Sequence, residues 1–247
     1  MNPTAKPKSM KNRYAARAKL SERRLRDVVR LFAKDMEPTL IAHSTGLTRI
    51  TVNEYLRKIR LSLAEQSVLD AAVSGPRAAK LIFSIHPLPN RSKARTGAKA
   101  MDGAANKEDA GQEVMRGLLL EQDRVALEIP PGLDRQALKL IRKGRMQAQG
   151  WKNEGYVTIL RLEIDLDFQS QDQEEHLAKS ASVTISPEER ITIFLAYLRA
   201  RMVKLRGIPE DTARLHLKEA EYRFNAARAG GNMGRRILAI LRERPLG

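Results

Sequence analysis

No cysteine occurs in this chain, so it holds no disulfide and no thiolate zinc site. Its four histidines are scattered and no HExxH arrangement is present, so a histidine-built metal centre is not expected. Long apolar runs are missing too. None reaches about 20 residues, the length of a membrane-spanning helix, and no signal-peptide core follows Met1. The expectation is a soluble cytoplasmic protein with no membrane partner.

What is abundant is positive charge. Lys and Arg number 45 against 29 Asp and Glu, a formal net charge of +16. The excess sits at the two ends, about +9 over residues 1–66 and about +6 over 187–247, with a middle near neutrality. Each cation that neutralises a phosphate releases counterions, so nucleic acid is the first partner to consider. At 247 residues the chain can hold one large or two modest domains.

The best specified stretch is Pro38 to Arg60, PTLIAHSTGLTRITVNEYLRKIR. Pro38 suits a first helical position, Ile41 and Ala42 suit a buried face, and Gly46 suits a left-handed turn. Thr48 is a natural N-cap for the next helix, in which Val52, Tyr55, Leu56, Ile59 and Leu63 share one apolar face. Arg49, Thr51, Asn53, Glu54 and Arg57 fall on the polar side, with Lys58 beside them. A helix-turn-helix whose second helix presents Thr48, Arg49, Thr51, Asn53, Glu54, Arg57 and Lys58 to the DNA major groove is predicted, and an ordinary helical hairpin is the alternative. Ser21 caps an earlier helix, running to about Lys34, with Leu25, Val28, Val29 and Phe32 inward. Its Arg23, Arg24, Arg26 and Arg30 are either phosphate contacts or a solvated face. Residues 1–20 read as a basic flexible arm in which Lys11, Arg13, Arg17 and Lys19 reach a minor groove, or else remain a solvated tail.

Beyond the helix-turn-helix domain of residues 21–66, residues 67–112 read as a linker with a strand near Leu81 to Ile85. The domain of residues 113–247 then opens on two strands joined near Gln122 and Asp123, followed by a short helix from Asp134 to about Lys143. Tyr156 to Phe168 alternates as a strand, with Asp165 and Asp167 on its polar face, and residues 169–186 read as a loop. A helix opens at Pro187 and carries Ile191, Phe194, Leu195, Leu198, Met202 and Leu205 on one face. Helices over Asp211 to about Arg228 and Met233 to Arg244 follow, separated by a turn at Ala229 to Asn232. The mix predicts an α+β protein.

Two segments carry a family resemblance. KNRYAARAKLSERRLRDVVRLFAKDMEPTLIAHSTGLTRITVNEYLRKIR resembles the N-terminal region of bacterial insertion-sequence transposases of the ISXO-like group. Residues 194–225, above all RGI, LHLKE and YRFN, resemble the helical close of that family's catalytic domain. The resemblance implies a three-helix helix-turn-helix module followed by an RNase H-like mixed sheet with flanking helices. It also implies Mg²⁺ held by three carboxylates, and double-stranded DNA at transposon ends as partner, in a nucleoid-associated setting. The family's first aspartate lies on the first strand, where the matching stretch keeps Asp70. The second precedes Gly-Trp, and here Gln149 stands before Gly150 and Trp151. The glutamate of the family's Ile-Glu-Ser-Phe-Trp is replaced by Thr192, with Glu189 one turn earlier. Asp70 is thus the candidate catalytic and metal residue and Glu189 a second catalytic one. Against this, acidic residues favour a first helical turn anyway, and a solvent-facing strand explains Asp165 and Asp167. Three readings follow: a catalytically impaired transposase-family DNA-binding protein, an active Mg²⁺-dependent transposase, or a non-cutting repressor or assembly partner of a transposase; a homo-oligomer or a transposase is the protein partner to expect.

Overall fold

The computed structural model describes residues 12–16, 19–74, 79–87, 115–120, 124–129, 138, 141–142, 145–154, 157–165, 185–204 and 208–247. The protein is α+β and forms two compact units, one of residues 1–69 together with 226–247, the other of residues 70–225.

The first unit opens on α1 (Glu22–Ala33), whose Leu25, Val28, Val29 and Phe32 are all buried. Ser21 caps it, its Oγ accepting from the Arg24 N–H at 3.4 Å. Pro38 starts α2 (Pro38–Thr45), which buries Ile41 and Ala42. The turn after it depends on Gly46 at φ 64, a left-handed conformation in which a side chain is strained. From there the Gly46 and Leu47 N–H groups both donate to the Ala42 carbonyl. Helix α3 (Arg49–Ser74) follows, with Val52, Leu56, Ile59 and Leu63 fully packed.

This helix is longer than its amphipathic portion. The sequence AEQSVLDAAVS is rich in helix formers and meets no breaker before Gly75 and Pro76, so propensity carries the helix on after the apolar face ends. The expectation of a linker from residue 67 is corrected there. Asp70 lies on α3, not on a first strand, and β1 (Ala79–Pro87) begins nine residues later.

The C-terminal helix belongs to this unit. Helix α6 (Met233–Glu243) packs on α1 and buries Ile237 and Leu241. Gly234 is buried beside α1; a Cβ there would meet Ala33 at an ordinary contact distance of 3.6 Å and would crowd only the capping Asn232 Oδ1, at 3.2 Å. Beyond α6, the Leu246 N–H donates to the Tyr14 carbonyl at 2.9 Å and the Ala16 N–H donates to the Leu246 carbonyl at 2.7 Å. Tyr14, Ala15 and Leu20 are buried, so the described part of the predicted flexible arm is held down by backbone pairing and packing. Lys11 and Arg17 lie outside the described residues.

In the second unit a five-stranded sheet has the order β3-β2-β1-β5-β4, built from β1, β2 (Met115–Leu120), β3 (Val125–Glu128), β4 (Arg145–Glu154) and β5 (Val157–Asp165). β1 is antiparallel to β2 and parallel to β5, while β2–β3 and β4–β5 are antiparallel pairs. β4 has no counterpart in the sequence reading. In its sequence RMQAQGWKNE only Met146 and Ala148 alternate with polar residues before Gly150, a short pattern that suits a strand at the edge of a sheet. Leu138 and Ile141 are helical and buried, in agreement with the short helix expected there.

Helices α4 (Pro187–Lys204) and α5 (Glu210–Arg228) complete the unit. Phe83, Ile85, Met115 and Leu119 join Ile191, Phe194, Leu195 and Leu217 in one core, in which the Phe194 ring meets Phe83 and Phe224 edge-on. Of the expected α4 face, Leu205 lies outside the described residues.

Gly117 pairs directly with Phe83 across β1 and β2, and the Phe83 ring occupies the space a side chain would need. An added Cβ would fall 2.1 Å from a ring carbon. Gly117→Ala is therefore expected to destabilise the second unit by about 1–3 kcal/mol, the usual cost of overpacking a core. Urea denaturation followed through the single Trp, Trp151 on β4, measures it; an unchanged midpoint would show that the ring moves aside freely.

The free edge of β3 is closed by side chains of α5. Asn225 accepts from the Val125 N–H at 2.9 Å and donates to the Val125 carbonyl at 2.8 Å. Two residues on, Glu221 accepts from the Leu127 N–H at 2.8 Å, and the Lys218 ammonium donates to the Leu127 carbonyl at 2.6 Å. Lys218 also pairs with Glu221 at 2.8 Å. Spacing of i, i+3 and i+7 puts all three side chains on one face of α5, in register with alternate residues of the strand. The LHLKE and YRFN segments thus supply polar groups that replace a missing neighbour strand. Beside them Glu219 is buried between Arg201 at 3.0 Å and Arg223 at 2.6 Å.

Candidate nucleic-acid interface

The predicted DNA-facing residues gather at the start of α3 because the helical register leaves them no other place. With Val52, Leu56, Ile59 and Leu63 inward, positions 49, 53, 54 and 57 turn to solvent, and Arg49, Asn53, Glu54 and Arg57 are exposed.

Thr48 and Thr51 have a local task. The Thr48 Oγ1 accepts from the Thr51 N–H at 3.2 Å and lies 2.9 Å from the Thr51 hydroxyl, which caps the helix and fixes its entry. Glu54 and Lys58 form an exposed i, i+4 pair at 3.3 Å, and Lys58 lies over the Tyr55 ring. Such surface pairs contribute little to stability, so both remain available to a ligand at small cost. The side chains that carry exposed hydrogen-bonding heads on this surface are Arg49, Asn53 and Arg57.

One residue of this surface escaped the sequence reading. Ile50 is 82% exposed, although it is large and apolar. Its register was the available signal, because position 50 lies nearly opposite Val52 and Ile59 around the helix.

The remaining basic residues divide by partner. Arg13 meets Glu22 at 3.2 Å, so the arm cation is drawn back onto α1; Lys19 is exposed. Arg26 pairs with Glu22 at 2.7 Å and donates to the Tyr14 hydroxyl at 3.3 Å, and this hydrogen bond raises its pKa above the ordinary value. Arg30 pairs with Asp27 at 3.0 Å. Arg23 and Arg24 are exposed on the same helix.

The described carboxylates considered for metal binding belong to separate elements. Asp70 belongs to α3. Glu189 sits in the first turn of α4, where its carboxylate accepts from the Ser186 N–H at 2.9 Å while the Ser186 Oγ accepts from the Glu189 N–H at 3.2 Å. This reciprocal capping box accounts for an acid at that position. Thr192 is exposed and its hydroxyl donates to the Glu188 carbonyl at 3.0 Å. Gln149 lies on β4 opposite Arg161 of β5, next to a register shift, and Asp165 ends β5; Asp167 lies outside the described residues. Among the described residues no group of three His, Asp or Glu is placed to hold a metal ion.

Among the described residues no helix is long and apolar enough to cross a membrane. No protein-family model, curated protein or solved structure matches this chain.

Proposed function

We propose that this chain is a double-stranded-DNA-binding protein of insertion-sequence transposase descent, acting by occupancy of transposon-end or related DNA. The observation that carries the reading is the turn at the left-handed Gly46, which joins α2 to α3. It leaves Arg49, Asn53 and Arg57 exposed at the start of a helix whose other side is the core. This supports a helix-turn-helix reading, in which the N-terminal residues of the second helix contact base edges. The net charge of +16 supports a polyanionic partner, and a nucleoid-associated place in the cytoplasm goes with it.

In this reading the mixed sheet of the second unit is an RNase H-like remnant that no longer cuts DNA. Support comes from Asp70 on a helix and from Glu189 engaged in a capping box, and in this reading Mg²⁺ has no role.

The test is duplex selection from a random pool by the full chain, followed by affinity and cleavage measurements on the selected sequences with Mg²⁺ or Mn²⁺ present. Tight binding without cleavage is expected. Arg49→Ala should cost about 1–3 kcal/mol at one base pair and relax selectivity there, whereas loss of a phosphate contact weakens all sequences alike. Unchanged affinity and preference in Arg49→Ala would overturn the docking, and metal-dependent strand cleavage would overturn the occupancy reading.

A further inference from the structure

We propose that Ile50 is a specificity residue that packs against the C5-methyl group of a thymine in the major groove. The inference rests on the DNA-binding reading above and adds a base identity to it. Ile50 is the most exposed large apolar side chain described, at 82%, against 54% for Val68 and 53% for Leu40. A large apolar group left in water gains nothing for folding, and a β-branched residue is a modest helix former. Its place on the surface proposed to face DNA makes it available to a ligand.

The surroundings select the ligand. Ile50 shares its helix face with Asn53 and Glu54, one turn on, and with Arg57, two turns on, and follows Arg49 directly. A single apolar group set among polar and charged neighbours, Glu54 among them, does not suit an apolar protein surface. It does suit a groove wall of hydrogen-bonding base edges that offers one hydrophobic feature, and in the DNA major groove that feature is the thymine methyl. The stiff χ1 of isoleucine holds its methyl groups in place, so little side-chain freedom is lost on contact. Arg49 and Arg57 bring positive charge to both ends of this surface, complementing the phosphates that flank the groove. Because residues 49 and 50 are adjacent in a helix rising about 1.5 Å per residue, the thymine should lie within about two base pairs of the position that Arg49 reads.

The experiment uses the full chain and a duplex it selects from a random pool. Each thymine in that duplex is replaced singly by deoxyuridine, which removes the methyl group and leaves base pairing intact. Wild type is expected to lose about three- to fivefold in affinity at one thymine near the Arg49-dependent position. Ile50→Ala should show a similar loss on the unmodified duplex and no further loss with deoxyuridine there, while keeping its sensitivity at every other position. The exposure of Ile50 makes this variant safe for folding, and far-UV circular dichroism checks it.

Selective binding by wild type with indifference to deoxyuridine at every thymine would overturn the inference and leave the DNA-binding reading standing. The same holds if Ile50→Ala keeps the deoxyuridine penalty, or if it binds DNA normally but loses self-association, which would make Ile50 a contact between copies. Failure to select any duplex would overturn both.

Discussion

Truncation of the chain after Arg228 is expected to unfold its first unit and abolish duplex binding, although the removed residues are more than 150 positions from α3 in sequence. Helix α6 places Ile237 and Leu241 in the interior next to α1, and Leu246 pairs through its backbone with Tyr14 and Ala16. Burying each of these three side chains contributes about 1.5–3 kcal/mol. Their combined loss is comparable with the ~5–15 kcal/mol that holds a whole small domain together. Arg244, which bonds to Gln66 and lies 4.0 Å from Glu65, would go as well.

Hydrogen exchange reads the result by region. Amides of α1 to α3 should lose protection in the truncated chain while those of β1 and β2 keep it. The milder Leu241→Ala should cost about 2–5 kcal/mol through a cavity at the same place. Full protection of α1 to α3 after truncation would mean that the N-terminal helices fold without α6, and the grouping of these segments into one unit would lose its energetic meaning.

Replacement of Glu221 by Ala should be the most damaging single substitution in the second unit. The Glu221 carboxylate is 2% exposed and accepts from both the Leu127 N–H and the Lys218 ammonium, itself 5% exposed. Its removal takes this carboxylate from a buried cation and the acceptor from a buried amide at once. Breaking one side of a buried pair costs about 3–5 kcal/mol, far above the ~0–1 kcal/mol of an exposed pair such as Glu54–Lys58. Trp151 fluorescence during urea unfolding reports the loss. Glu221→Gln, which keeps an acceptor for Leu127, should lose less. Opening the β3 edge also exposes backbone groups that can pair with another chain, so Glu221→Ala should aggregate more readily with concentration than an equally destabilised Gly117→Ala. Equal aggregation by the two variants would count against the edge-capping role of α5.

Much of this architecture is legible in the residues. Leu25, Val28, Val29 and Phe32 specify α1, and Pro38, Gly46 and Thr48 mark the limits of α2 and the start of α3, because caps, left-handed turns and helical periodicity are local matters. The start of α4 at Pro187, α5 to Arg228 and the α6 segment are readable for the same reason. The strands β1, β2, β3 and β5 announce themselves by apolar alternation or short apolar runs between turns. β4 does not, since its Met146 and Ala148 alternate with polar residues only briefly before Gly150 interrupts the pattern at a register shift.

The candidate site divides in the same way. Arg49, Asn53 and Arg57 could be placed on the polar side of α3 by counting residues, and Ile50 could have been found by the same count. Assigning Asp70 to a strand failed because helix propensity continues through Ser74 after the amphipathic face has ended. The acid at Glu189 takes its meaning from Ser186, three residues away, so its capping role was within reach of the sequence.

The sequence by itself determined the local elements: where helices begin and end, which of their faces are apolar, and the exposed cationic start of α3. Only the tertiary structure decided that α6 and Leu246 complete the N-terminal unit, that Tyr14 and Ala15 are held in place, and that Lys218, Glu221 and Asn225 close the edge of β3. The physical reason is distance along the chain. Caps and periodicity act over a few residues, whereas Leu246 and Tyr14, or Asn225 and Val125, meet only after the whole intervening chain has folded, and no short-range pattern encodes which distant groups will share one interior.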